Sequence, residues 1–505
     1  MSGRTVLVTG ATGYVGGRLV PELLARGHRV RVLVRDPERV RDLPWSSQVD
    51  VRQGDAGDTA SVAAAMDGAD AAYYLLHSIQ EGPGLEAAER AIARSFADAA
   101  VTSGLSRLVY LGGLAPRIPA RSMSPHMRSR VEVGEILRAS GVPTAELRAA
   151  VIIGSGSASF EMLRYLTERL PAMITPRWVR QQTQPIAIRD VLRYLVGALE
   201  LPAEVNRAFD IGGPDVLTYE NMMQRYAAVA GLPRRVILPI NLLTPGLSSH
   251  WVNVVTPVPR SIARPLVESL KHPSVCSEHD IAHWIPDPPE GLVPFDDAVR
   301  LALTRIRDAN VTTRWSNASL PGAPSEPMPS EPMPSDPRWS GGTLYEDVRE
   351  VRSSAAPGQV WAAVERIGGD NGYYSADVLW EVRGLLDRIL GGVGIRRGRR
   401  DPELLAVGEA VDFWRVEERI PPRLLRLRAE MRNPGLAWLE FTITPDGDGC
   451  TLRQRAVFWP RGLAGHAYWW SVAPFHAFVF PVMARGIVHQ AATHDRHPSD
   501  QPPSG

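Results

Sequence analysis

The feature that most restricts this chain lies at its start. Thr5–Thr9 (TVLVT) is an apolar run of buried-strand type, and it leads directly into Thr9–Gly16, TGATGYVG. An amphipathic helical pattern then runs on to about Arg26. A strand, a glycine-rich turn and a helix in this order form the first half of a βαβ unit. Gly10 permits the tight turn, Gly13 admits a ligand close to the backbone, and Gly16 lets the helix lie near the strand. Ala11, Thr12, Tyr14 and Val15 fill the remaining positions of the turn and helix start. The unpaired amides and positive dipole end there suit a pyrophosphate, so a dinucleotide is the expected ligand.

The alternation continues. Arg29–Val34 (RVRVLV), Val49–Arg52, Ala69–Leu76, Leu108–Leu111 and Thr144–Ile153 read as strands. Helical patterns over 59–66, 84–103 and 126–140 separate the later ones. Strands and helices at this spacing predict an α/β doubly wound parallel sheet. Beyond residue 154 the pattern loosens into helices near 158–170, 189–199 and 218–230, as expected of a lid or substrate region.

At 505 residues the chain is too long for one ordinary core. Residues 316–342 (SNASLPGAPSEPMPSEPMPSDPRWSGG) are too proline-rich to propagate a helix or pair as a strand. The expected division is 1–312, a linker over 313–342, a second domain over 343–492 and a polar tail over 493–505. In the second domain, strand patterns at 345–351, 410–416, 424–431, 437–444 and 451–458 and a helix near 357–366 precede an apolar helix. This predicts an α+β domain whose antiparallel sheet wraps the closing helix. The apolar stretch Ala467–Ala484 is interrupted by Pro474, His476 and Pro481, and reads as a core helix rather than a membrane contact.

Composition excludes several classes. A formal net charge of +1 offers no field to attract nucleic acid. Two cysteines, Cys276 and Cys450, cannot make a disulfide framework or a thiolate metal site. No export signal is visible, and the cytoplasm is the expected compartment. Lys271 is the only lysine, so lysine chemistry elsewhere is ruled out. His279 and His283 have the i, i+4 spacing of metal ligands, but no third ligand is evident and no metal is expected. Arg396–Arg400 (RRGRR) reads as a solvated turn, with an anion contact as the alternative.

Arg35 stands at the tip of the second strand, where a carboxylate would bind a ribose 2′-hydroxyl. Its planar fork suits a 2′-phosphate instead, so NADP is expected ahead of NAD, although the adjacent Asp36 argues the other way.

With its TGxxGxxG spacing, the first part resembles the short-chain dehydrogenase/reductase superfamily, in particular its extended and atypical, NmrA-like branches. The resemblance covers about residues 4–305. It implies that Asp55 and Ala56 touch the adenine, that the chain at Leu76 and His77 passes the cofactor, and that Leu147-Arg148 and the Gly154 turn follow the sixth-strand motif. The superfamily uses a Tyr-x-x-x-Lys pair and a Ser or Thr. Aligned on Leu137–Gly141, those positions fall at His126, Arg130 and Gly112 or Gly113. Arg130 is then expected to hold the nicotinamide ribose, and His126, ionisable near neutral pH, to shuttle a proton. The plainer alternative makes His126 a surface residue.

Residues 345–490 resemble a bacterial domain of unknown function that follows such dehydrogenase-like domains, with a helix-grip character like the START and polyketide-cyclase superfamily. The likeness is carried by GGDNGYY (368–374), residues 379–400, VDFWRVE (411–417), 428–441 and 468–480. It implies an apolar cavity, although Trp380, Trp414, Trp438 and Trp469 are equally suited to filling a core. Two functions stay open. One is an NADP-dependent oxidoreductase of a small or hydrophobic substrate; the other is an NADP(H)-binding sensor module that does not turn its cofactor over.

Overall fold

The computed structural model describes residues 3–41, 43–76, 85–116, 118–240, 256, 258, 260–312, 342–368, 372–374, 404–431 and 433–493. His77, nearly all of the proline-rich segment, and the whole of 379–400 with Trp380 and the RRGRR run lie outside them. The chain forms two compact units, Met1–Gly342 and Thr343–Gly505.

The first unit is built on a seven-stranded sheet. Its strands are β1 (Thr5–Thr9), β2 (Arg29–Val34), β3 (Asp50–Gln53), β4 (Ala71–Tyr74), β5 (Arg107–Gly113), β6 (Thr144–Ala149) and β7 (Arg207–Ile211). Their spatial order is β7-β6-β5-β4-β1-β2-β3, and every pairing is parallel. The helices α1 (Tyr14–Ala25), α2 (Thr59–Met66), α3 (Leu85–Thr102) and α4 (Pro125–Ala139) supply the crossovers. Helices on both faces remove both sides of a parallel strand from water, which explains why β1 is apolar nearly throughout. Val6 and Val8 face one core cluster while Leu7 faces another. Local chemistry sets the helix starts: Asp58 accepts from Ala60 and Ser61 amides at α2, and Ser124 from the Met127 amide at α4, where Pro125 opens the first turn.

The 144–153 run is two strands, not one. β6 ends at Ala149, and Ile152–Ile153 then pairs with Ile186–Ala187 in a separate two-stranded sheet. Beyond it lie α5 (Ala158–Arg169), α6 (Ile188–Gly197), α7 (Tyr219–Val229), α8 (Arg260–Ser269) and α9 (Phe295–Thr312).

The second unit has a six-stranded antiparallel sheet. β8 (Tyr345–Ser353) is followed by α10 (Pro357–Glu365), β9 (Ala410–Val411), β10 (Trp414–Ile420), β11 (Leu424–Ala429), β12 (Gly435–Asp446) and β13 (Gly449–Pro460), in the order β8-β13-β12-β11-β10-β9. The 410–416 run is therefore a hairpin rather than a continuous strand. Asp412 makes its turn with φ 53°, a left-handed conformation that Asp tolerates, and accepts a hydrogen bond from Tyr373 Oη at 2.9 Å.

The closing helix α11 runs unbroken from Gly462 to Thr493 despite Pro474 and Pro481. Its Val479, Phe480, Met483 and Ile487 join Leu439, Phe441 and Leu452 of the sheet in one core. The core-helix expectation thus holds for one face only, since Trp470 and Phe478 stay largely exposed.

Replacing the fully buried Leu147 of β6 by alanine is expected to lower stability of the first unit by about 2–5 kcal/mol, read as a lowered urea midpoint. A change below about 0.5 kcal/mol would contradict the placement of this strand in the core.

Candidate functional site

The C-terminal ends of β1, β2, β4, β5 and β6 open into one cleft of ≈ 940 Å³. In a doubly wound sheet this edge is where ligands bind, because the loops and helix starts converge there. Gly10, Ala11, Thr12, Gly13, Tyr14, Val15 and Gly16 form its floor.

The floor is shaped by missing side chains. Gly10 has φ +74°, and a Cβ there would lie 2.6 Å from the Leu75 carbonyl oxygen at the end of β4. A Cβ at Gly16 would overlap the Gly10 carbonyl. The Gly13 amide donates to the Gly10 carbonyl at 2.9 Å, and Gly13, in extended conformation, caps α1. The first turn of α1 therefore lies directly against the strand ends, with its amides toward the cleft. A pyrophosphate fits this cradle because its charge meets N–H donors and the positive helix end.

At the β2 end, Arg35 and Asp36 both line the cleft, and so does Arg39, which the sequence reading missed. Asp36 Oδ1 accepts the Glu38 amide at 3.1 Å, starting the short helix Glu38–Arg41. The carboxylate that argued for NAD thus serves a helix start. The two arginines stand four residues apart, a spacing that could have flagged Arg39. Asp55 and Ala56 line the same end, and Asp55 Oδ1 accepts the Gly57 amide at 2.8 Å. Leu75 and Leu76 line the middle of the cleft.

Gly112, Gly113, His126, Met127 and Arg130 form the far wall. Arg130 Nη2 donates to the Leu111 carbonyl at 2.6 Å, and Tyr110 Oη donates to the Arg130 carbonyl at 3.1 Å, fastening α4 to β5. The two glycines are not equivalent. A Cβ at Gly112 would meet the Tyr110 ring and the buried Glu146 carboxylate, which is paired with Arg138 and Arg148. A Cβ at Gly113 would meet Met127 and Arg130 at ordinary contact distance.

His126 lies in the cleft wall, as expected, in an environment that perturbs it. Burial, with the adjacent Arg130 charge, pushes its imidazole pKa down to about 3. This shift favours the neutral imidazole at pH 7, away from the titration near neutrality of an ordinary histidine.

Beyond this wall the cleft continues over Val151, Met162, Tyr219, Leu266 and Leu270, with Ser157, Ser159, Thr183, Ser269 and Ser274 among its polar groups. None of these had a recognisable motif. Elsewhere, His279 Nε2 lies 3.1 Å from Asp287, and His283 Nδ1 3.1 Å from the Asp280 carbonyl. Among the described residues no group of three or more His, Cys, Asp or Glu side chains is placed to hold a metal ion.

Residues 10–152 match the family model described as NAD(P)H-binding, and residues 339–483 match a protein family of unknown function, DUF2867. The (4-alkanoyl-5-oxo-2,5-dihydrofuran-3-yl)methyl phosphate reductase of Streptomyces griseus is 31% identical over 237 residues, 46% of this chain and 75% of the relative. The ceramide reductase of Caulobacter vibrioides is 30% identical over 257 residues, 49% of this chain and 78% of that protein. The chain belongs to the NAD(P)-binding, short-chain-dehydrogenase-type reductases. Among solved structures, the triphenylmethane reductase of Citrobacter sp. complexed with NADP(H) is 20% identical, with a TM-score of 0.47, covering 59% of this chain and 99% of that one. The NAD(P)H-binding match runs from Gly10, directly after β1, to Ile152, the stretch that holds both the glycine floor and the far wall.

Two substitutions test the cleft. Gly16→Val should weaken NADPH binding by at least about tenfold in calorimetry, since the side chain forces α1 away from the turn. Unchanged affinity would contradict the cradle. Replacing Arg35 and Arg39 together by alanine should reduce the preference for NADPH over NADH by about tenfold or more, through loss of charge-assisted hydrogen bonds. An unchanged ratio of dissociation constants would contradict their assignment.

Proposed function

We propose that this NAD(P)-dependent oxidoreductase uses NADPH to reduce a carbonyl-bearing, largely apolar substrate. The observation that carries the reading is the continuity of one cleft. It runs from the glycine turn, past His126 and Arg130, to a pocket where Val151, Met162, Leu266 and Leu270 stand among serine and threonine hydroxyls. The two reductase relatives, one named for ceramide and one for an alkanoyl-bearing furanone phosphate, support an apolar substrate.

When bound, the dinucleotide supplies a hydride to the carbonyl carbon, and the carbonyl oxygen takes up a proton. The amides of the Gly10–Gly16 turn hold the pyrophosphate, Arg35 and Arg39 hold the 2′-phosphate, and Asp55 and Ala56 flank the adenine. Leu75 and Leu76 exclude water along the middle of the cofactor path.

Arg130, anchored on the Leu111 carbonyl, orients the nicotinamide ribose and places a fixed positive charge beside the reacting centre. His126 acts as a neutral imidazole whose N–H donates to the substrate oxygen as negative charge develops there. Giving up that proton would leave an imidazolate, so the proton that completes the alcohol comes from water. Gly112 and Gly113 keep the β5 end low, which leaves room for a bulky substrate over Arg130.

For the second unit we propose a helix-grip character, supported by a six-stranded antiparallel sheet packed on a long C-terminal helix. Its cavity among the described residues, between Trp414, Trp438, Trp469 and Phe480, measures only ≈ 40 Å³, about the size for a water molecule. This favours the tryptophans as core.

Bound NADPH fluorescence should decay when long-chain ketones or aldehydes are added, and persist if the site only senses its cofactor. His126→Ala should lower kcat/KM on an active substrate by about 100-fold. Because the imidazole stays neutral well above its pKa of about 3, the wild-type rate should show no His126-dependent limb between pH 5 and 8. A limb near pH 6.5 that disappears in His126→Ala would contradict the neutral-donor role.

A further inference from the structure

Helix α11 has two faces of opposite fate. Val479, Phe480, Met483 and Ile487 are buried in the core of the second unit. On the other face Leu463 is 55% exposed, Trp470 67% and Phe478 63%, and Ala467, Pro474 and Ala477 are exposed between them. At 100° per residue these six positions fall within an arc of about 100°, so they form one stripe along the helix. Only 28% of the most apolar window of α11 is buried.

Charge is distributed just as unevenly. From Gly462 to Ala484 the chain has no Asp, Glu, Lys or Arg, and Arg461 and Arg485 stand at the two ends. Both arginines are exposed, and Arg485 Nε donates to the Pro481 carbonyl at 3.0 Å on the same side as the stripe. The uncharged segment is about 34 Å long at 1.5 Å per residue. Within the stripe the side chains offer almost no hydrogen-bonding group. The neighbouring Ser471 hydroxyl is already donated to the Tyr468 carbonyl, and the Trp470 ring packs edge-on to Tyr345.

We propose that this stripe is a membrane-docking surface, on which α11 lies in the plane of a lipid bilayer. Trp470, Phe478 and Leu463 enter the acyl boundary while Arg461 and Arg485 meet lipid phosphates. A protein partner needs about one hydrogen bond per 100–200 Å² of interface, which this stripe cannot supply, whereas hydrocarbon needs none. A tryptophan among aliphatic groups, with cations at the edges, suits the headgroup–acyl boundary. The helix does not span the bilayer, because its opposite face is committed to the protein core. The proposal is independent of the chemistry assigned to the cleft.

The test is flotation of the full chain with extruded vesicles of phosphatidylcholine and phosphatidylglycerol. The wild type should rise with the vesicles, partly resisting high salt. A double variant, Trp470→Glu with Phe478→Glu, should lose bound fraction by at least about tenfold while keeping its melting temperature and NADPH affinity. Should that variant unfold, the milder pair Trp470→Ser and Phe478→Ser serves in its place, with the same loss expected. The proposal is overturned if the wild type stays at the bottom of the gradient, or if a folded variant floats as the wild type does. It is equally overturned if the wild type is a dimer that the substitutions dissociate and no vesicle binding is seen.

Discussion

The whole cleft depends on how closely the first turn of α1 can approach the ends of the sheet. Two absent Cβ atoms decide that distance. Gly10 turns back under the Leu75 carbonyl, and Gly16 sits against the Gly10 carbonyl. With side chains at either position the helix start would be displaced and its amides would no longer face one point. The remaining walls, β2 with Arg35 and β5 with the α4 residues, are positioned by the same sheet. A single local constraint therefore governs where the turn amides, Arg35 and Arg130 lie relative to one another.

Electrostatics then separates the two ends of the cleft. The β2 end is exposed and cationic, with Arg35 and Arg39 in reach of solvent and Asp36 diverted to capping. At the other end, burial and the Arg130 charge hold His126 neutral. In the proposed reaction, a neutral donor beside a fixed cation would stabilise developing negative charge without competing for the proton. Arg130, bonded to the Leu111 carbonyl, also limits how far α4 can move from β5.

Much of this architecture was legible in the residues. The strand β2 and the helix Thr59–Met66 fall at the expected bounds, because apolar periodicity and an Asp cap act locally. The glycine turn was legible for the same reason. What escaped the sequence depended on tertiary context. Nothing in Ala410–Val416 reveals that Asp412 takes a left-handed turn, since that conformation needs β9 and β10 to pair with each other. The neutrality of His126 follows from burial and an arginine one helical turn on, not from its identity. The half-exposed state of α11 was hidden because an apolar segment reads alike in a core and on a surface. The part of the cleft beyond Arg130 draws on α5, α7 and α8, whose residues follow no shared motif.

The central claim is that a nicotinamide dinucleotide diphosphate is held by the backbone amides following Thr9. Isothermal titration of NADPH into the folded full chain tests it most directly. The account predicts saturable binding at one site per chain with micromolar affinity. Absence of binding by NADPH and NADH alike, up to millimolar concentration, would contradict it.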